Sequence, residues 1–158
     1  MSLRARAWEA AASVLDPELP DLTIADLGVL RDVVETDGAV EVSITPTYTG
    51  CPAMAMIALD VQTALDRAGI AGRVRTVLAP AWTTDWLSDA GRGKLARAGI
   101  APPPPGAGRR ALFGAPEVAC PRCGSRKTEK IAAFGATACK ALWRCRACRE
   151  PFDLFKCH

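Results

Sequence analysis

The sequence predicts an α/β domain with a small mixed sheet and flanking helices, followed by a small all-β ribbon stapled by metal. Three observations carry that expectation. Between residues 1 and 100, stretches of helical apolar spacing alternate with stretches of strand spacing. Four consecutive prolines followed by glycines, in "IAPPPPGAGRRALFGAP", interrupt both patterns with a stiff spacer and then a flexible one. Beyond them stand two C-x-x-C pairs, in a segment too short to fold on an apolar core alone. The expected organisation is a domain at residues 1–100, a linker at 101–116 and a ribbon at 117–158.

The elements follow in order. Trp8, Ala11, Ala12 and Leu15 recur at helical spacing, and Asp16-Pro17 stops that helix. "VLRDVVETDGAVEVSITP" reads as a hairpin: Val40, Val42 and Ile44 alternate with polar residues, and Asp37-Gly38 supplies the tight turn. Met54, Ile57, Ala58, Val61, Leu65 and Ala68 mark one face of a second helix ending at Gly69. "RVRTVLAP" is a further strand, and strand–helix–strand implies a parallel pairing. "TTDWLSDAGRGKLARAGI" predicts a Thr-capped helix weakened by Gly91 and Gly93.

Composition narrows the function classes. No run of 18 apolar residues occurs, which excludes a helical membrane span. The start, "MSLRARAWEAAASVLDPELP", is broken by Glu9 and Asp16 and reads as an amphipathic helix, not a secretion signal. A cytoplasmic setting is expected, where seven cysteines point to metal or reactivity more than to disulfides. Charge is split. Residues 1–108 hold nine Lys/Arg against thirteen Asp/Glu, a surplus of four negative charges. Residues 109–158 hold eleven Lys/Arg against four Asp/Glu, a surplus of seven positive ones. An acidic body with a basic tail suggests docking on an acidic partner or on nucleic acid, the bland alternative being a well-solvated ribbon.

One cysteine stands apart. Cys51, in "TPTYTGCPAMAMI", precedes a proline suited to the first helical position, which sets the thiol at or beside a helix N-cap. The partial positive charge there is expected to lower its pKa, and Gly50 to let a ligand or partner approach. Such a thiolate could bind a soft metal, hold an iron–sulfur cluster transiently or act as a nucleophile; the alternative is a small buried residue. A Cys-His hydrolase finds little support, since the only histidine is His158.

The other six cysteines lie in the tail. Cys120, Cys123, Cys145 and Cys148 form two knuckles 21 residues apart, the spacing of a closed four-thiolate Zn2+ site, with rubredoxin-like iron or a cluster as lesser alternatives. A structural zinc with four protein ligands has no open position for catalysis. If Cys145 faces Pro151 across an antiparallel pair of strands, paired positions sum to 296 and Cys139 faces Cys157. That would bring two thiols within about 5 Å at Cβ. "GRGK" lacks most of a phosphate loop, and Asp16 and Asp26 read as turn and helix caps. Met54 and the tryptophans, Trp82 and Trp86 among them, are candidate contacts of a homodimer.

Taken together, "DPELP", "IADLGVLRDV", "TPTYTGCPAMAMI", "LAPAWTTDWLSDAGRGKLARAGIAPP" and "CPRCG…FGATACKALWRCRACREPFDLFKCH" closely resemble the PaaD (PaaJ) family of phenylacetyl-CoA epoxidase accessory subunits. The first part resembles the MIP18 (DUF59) family of iron–sulfur assembly factors. The resemblance implies a MIP18-like domain plus zinc ribbon, and a non-enzymatic role in cluster assembly or insertion. Its hallmark cysteine falls on Cys51, within Thr49-Gly50-Cys51-Pro52, and its other signatures on Asp16-Pro17-Glu18 and Asp26 to Gly28. It implies transient cluster binding at Cys51, completed by the client, a second subunit, or Cys139 and Cys157. It also implies, as client, the [2Fe-2S] reductase component of the epoxidase or else its oxygenase subunits, alongside the general iron–sulfur assembly machinery. No membrane association and no nucleic acid are expected. A pure adaptor without cluster binding is the competing reading.

Overall fold

The computed structural model describes residues 1–19, 21–104, 106 and 117–155. The chain divides into two compact units, Met1–Trp82 and Thr83–His158.

In the first unit, α1 (Leu3–Ala12) is capped by Ser2, whose Oγ accepts the Ala5 N–H at 3.1 Å. Its buried residues are Ala7 and Ala11, one turn apart, while Trp8 and Leu15 are exposed. The expected face is therefore rotated. Alanines carry no bulk beyond Cβ and let α1 lie close against β1 (Leu30–Thr36), β2 (Ala39–Ile44) and α2 (Met54–Arg67), whereas an indole would hold it off. The hairpin matches expectation. Thr36 pairs with Ala39, and Asp37 and Gly38 take φ of 50° and 78°, the positive pair that a two-residue hairpin turn requires. Val40, Val42 and Ile44 are buried in the core, as are Ile57, Val61 and Leu65 of α2.

Helix α2 ends as its glycine foretold. The Gly69 N–H reaches the Asp66 carbonyl and the Ile70 N–H reaches the Leu65 carbonyl, each at 3.0 Å, with Gly69 at φ 67°. The chain then enters β3 (Gly72–Thr76), parallel to β2 with Val74 opposite Val42, and the sheet order is β1-β2-β3. Gly72 lies against the central strand: a Cβ there would meet Val40 Cγ2 at 2.5 Å and the Val40 carbonyl oxygen at 2.7 Å.

In the second unit, the Thr83 hydroxyl caps only a 3-10 turn, Thr84–Trp86. Leu87 is extended, and α3 (Asp89–Arg97) starts afresh with the Ser88 Oγ accepting the Gly91 N–H at 2.9 Å. The one long helix expected from Thr83 is thus two pieces. After Gly99, β4 (Ile100–Ala101) runs parallel to β7 (Pro151–Phe155), which pairs antiparallel with β6 (Lys140–Cys145), itself paired with β5 (Thr128–Ala132). The sheet order is β4-β7-β6-β5. Ala101, Val118, Ala141, Trp143, Phe152 and Leu154 form its core together with Cys120 and Cys145. Composition puts the domain limit at 101–116; by contacts, α3 and β4 group with the ribbon, and residues 105 and 107–116 lie outside the described part. No described helix is long and apolar enough to cross a membrane.

Candidate functional site

Beyond β2, the buried Thr45 donates its N–H to the Val29 carbonyl at 2.8 Å, and the chain turns out through Tyr48 and Thr49 to Gly50. Gly50 has φ 79° with open space where a Cβ would stand, so the turn's backbone geometry, not crowding, requires glycine. The Cys51 N–H donates to the Tyr48 carbonyl and the Met54 N–H to the Cys51 carbonyl, both at 3.3 Å. Helix α2 begins at Met54 with Ala53 as its cap and no capping side chain. Cys51 therefore sits two residues ahead of the cap, with Pro52 in the intervening turn and not at the first helical position. Its side chain is half-buried.

The electrostatics of this thiol overturn the expected direction. Its pKa is raised above the ordinary thiol range, first by burial and then by the carboxylates of Glu18 and Asp16. Hydrogen bonds from the Ala53 N–H and from Tyr48 favour the thiolate but do not outweigh that. At neutral pH the sulfur carries its proton, and binding a metal there means displacing it.

The two carboxylates come from a turn more than thirty residues earlier. Asp16 Oδ1 accepts the N–H groups of Glu18 at 2.8 Å and Leu19 at 2.9 Å, the turn-capping role expected of it. Pro17 lies between them and is exposed. Asp26 likewise caps: its Oδ2 accepts the Thr23 N–H at 3.1 Å while Thr23 Oγ1 accepts the Asp26 N–H at 3.0 Å. Gly28 follows at φ 71°, and the buried Trp82 Nε1–H donates to the Leu27 carbonyl at 2.8 Å, pinning this turn. Sequence reasoning found these residues but not that Asp16 and Glu18 act on Cys51. No local signal announces it, because long-range pairings such as the Leu15–Thr23 bridge and the Thr45–Val29 bond bring the loops together.

In the second unit the sulfurs of Cys120, Cys123, Cys145 and Cys148 all lie within 4.8 Å of one another. The cross-knuckle pairs Cys120–Cys148 and Cys123–Cys145 stand at 3.8 and 3.5 Å. A tetrahedral ion with metal–sulfur bonds of about 2.3 Å needs sulfur–sulfur edges of about 3.8 Å, so the four fit such an ion. Each knuckle closes on a left-handed residue, Gly124 at φ 75° and Arg149 at φ 66°. The Cys148 N–H points at Cys145 Sγ at 3.5 Å, and this bond leads in pulling the Cys145 thiol down to about 6. Cys148, despite the Glu150 N–H, is pushed up to about 11 by burial and by the neighbouring sulfurs. Four thiolates this close need a cation to coexist.

The second thiol pair loses its premise. Arg144, not Cys145, faces Pro151, and every observed β6–β7 pair sums to 295. The cause is the knuckle itself: the Cys145 N–H is taken by the Glu150 carbonyl at 3.0 Å, which closes the loop one residue tighter. Cys139 is buried just ahead of β6, its sulfur 3.0 Å from Thr137 Oγ1; Cys157 and His158 lie outside the described residues. "GRGK" lies inside α3 and forms no phosphate loop.

Comparison with known proteins agrees with this two-part geometry. Residues 4–79 match the family described as "Iron-sulfur cluster assembly protein", and residues 104–156 match the "PaaD zinc beta ribbon domain". An Escherichia coli (strain K12) protein, named as a subunit of a "Putative 1,2-phenylacetyl-CoA epoxidase", is 45% identical over 151 residues, covering 95% of this chain and 90% of that one. The chain belongs to the PaaD family. The assembly half has wider kin within DUF59. A Porphyromonas gingivalis (strain ATCC BAA-308 / W83) protein named "Fe-S protein maturation auxiliary factor" is 35% identical over 80 residues, covering 49% of this chain and 75% of that one. The crystal structure of a DUF59 domain from Bacillus anthracis, 26% identical, superposes with a TM-score of 0.55 over 59% of this chain and 91% of that one. The MIP18-like fold and the ribbon named by the family model both stand.

Proposed function

We propose that this chain is an accessory maturation factor of the phenylacetyl-CoA epoxidase system, which carries iron–sulfur cargo at Cys51 and delivers it to the [2Fe-2S] reductase component. The observation that carries the reading is a half-buried thiol, on a glycine turn before α2, inside a segment matched to iron–sulfur assembly proteins. The near full-length likeness to a protein named as part of an epoxidase supports the choice of system. The cargo is a substrate and not a resident cofactor. A single cysteine supplies one of the usual four cluster ligands, so the grip is incomplete and favours hand-over. The raised pKa of Cys51 has the same effect: a sulfur that regains its proton readily lets its cargo go.

In this reading the ribbon is a docking element whose four cysteines hold a structural Zn2+, and the chain itself catalyses nothing. It works in the cytoplasm, beside the general iron–sulfur assembly machinery. The protonated state of Cys51 favours one rival, an adaptor that joins client and assembly machinery without touching the cluster. Two measurements separate them. Metal and sulfide analysis of anaerobically purified protein is expected to give one zinc plus substoichiometric iron and sulfide; zinc alone supports the adaptor. Cys51→Ser is expected to leave zinc and fold intact and to abolish maturation of the reductase. Normal cluster content in the client would sink the carrier reading.

A further inference from the structure

The ribbon's end away from the metal carries a second surface. Strand β5 is an edge strand, and its register with β6 breaks between Lys130 and Ala132, leaving Ile131 as the extra residue of a β-bulge. A bulge re-aims the residue it carries, and Ile131 is 52% exposed. Three residues later Phe134 is 63% exposed. The stretch from Ile131 to Ala138, "IAAFGATA", holds no charge. Yet the loop is ordered. The Gly135 N–H donates to the Lys140 carbonyl at 2.7 Å and the Lys140 N–H to the Thr137 carbonyl at 3.2 Å. Gly135 is seated so tightly that a Cβ would stand 3.0 Å from Asp153 Oδ1 and 3.3 Å from Lys140 Cβ.

A fixed loop showing a phenylalanine and an isoleucine to solvent costs solubility. An edge blunted only against aggregation would place a charge at its bulge, not an isoleucine. A charge lies alongside: Lys130, next to Ile131 in the chain, is exposed and has no acidic partner among the described residues, whereas Lys127 stands at the metal end, its carbonyl accepting the Arg146 N–H at 2.7 Å. The arginines of the knuckles, Arg122, Arg146 and Arg149, also sit at the metal end, where four thiolates around a divalent ion leave two negative charges to offset.

We propose that Ile131 and Phe134 form a preorganised knob that inserts into an apolar pocket rimmed by carboxylates on a protein partner, with Lys130 meeting the rim. The inference rests on the docking role assigned above to the ribbon, and it names the contact and the partner's chemistry. Preordering spares the entropy of fixing the anchors, and buried aromatic anchors dominate such contacts.

The test uses the full chain, zinc-loaded, against the purified reductase component, by calorimetric titration. The double variant Ile131→Ser/Phe134→Ser should raise Kd thirty-fold or more, equivalent to about 2 kcal/mol, with zinc content and circular dichroism unchanged. Lys130→Ala should raise Kd less and flatten its salt dependence. Equal affinity of wild type and knob variant, or no binding by wild type, overturns the proposal. So does a knob variant that merely converts a dimer into monomers, or an oligonucleotide that competes for the site. Cys51→Ser keeps the distinction clean: unchanged Kd with lost cluster transfer supports both readings, whereas unchanged Kd with normal transfer sinks the carrier and leaves the knob standing.

Discussion

Two buried tryptophans make opposite predictions from the same substitution. Trp82 is 4% exposed and its Nε1–H donates to the Leu27 carbonyl at 2.8 Å. Trp82→Phe removes the donor and strands a carbonyl in the core, costing about 1–3 kcal/mol. The smaller ring loses packing worth about 1 kcal/mol more, so the first unit should weaken by about 2–4 kcal/mol. Trp143 is 8% exposed, and its Nε1 has no acceptor among the described residues. Trp143→Phe deletes a donor that was already paying desolvation, so the relief offsets the lost packing and the net change stays within about 1 kcal/mol of zero. Urea denaturation by far-UV circular dichroism reads the first unit, and metal release to a chromogenic chelator reads the second. At about 4–8 °C per kcal/mol for a unit of this size, Trp82→Phe should lower its Tm by roughly 8–32 °C. A loss below about 0.5 kcal/mol for Trp82→Phe, or a larger loss for Trp143→Phe than for Trp82→Phe, would refute the reasoning.

Further outcomes follow from the same geometry. Alkylation of Cys51, read by mass spectrometry, should stay slow at pH 7 and keep rising past the pH where a free cysteine levels off, because burial and two carboxylates raise its pKa. Glu18→Gln removes one of those charges and should speed alkylation at pH 7; no change would separate Glu18 from the thiol. Acidification should release the ribbon's metal, because each cysteine that regains its proton is lost as a ligand. Metal retained far below pH 5 would count against four-thiolate ligation. Gly72→Ala should destabilise the first unit by about 1–3 kcal/mol, as its Cβ would meet Val40 Cγ2 at 2.5 Å; a neutral effect in denaturant titration would show that β3 can step away from β2.

The legible parts of the fold were those set by neighbours in the chain. Asp37-Gly38 can hardly do other than turn a hairpin, Gly69 closes α2, and the paired C-x-x-C spacing brings four sulfurs together. What escaped depends on residues distant in sequence. Which side of α1 is buried is decided by how closely it must approach the sheet, and Ala7 wins over Trp8 because it is small. The β6–β7 register turns on one bond, Cys145 N–H to Glu150 carbonyl, and a slip of one residue removes the basis for pairing Cys139 with Cys157. The polarity of the Cys51 site reversed for the same kind of reason. The helix end was visible in the sequence, but the burial and the Asp16–Glu18 turn that outweigh it were not.

The two-residue strand β4 changes what the proline run is for. Ile100 and Ala101 pair with Asp153 and Leu154, and the chain rejoins the same sheet at Thr128. The prolines therefore belong to an excursion that leaves and re-enters one sheet, and they are no leash between thiol and ribbon. Lengthening them with glycine and serine would enlarge a closed loop without adding chain between β3 and β4. A fragment cut at residue 117 would strip β7 of its neighbour and leave a raw sheet margin in solution. An isolated ribbon for biophysical work should start near Thr83, and any engineered change in span belongs at that junction.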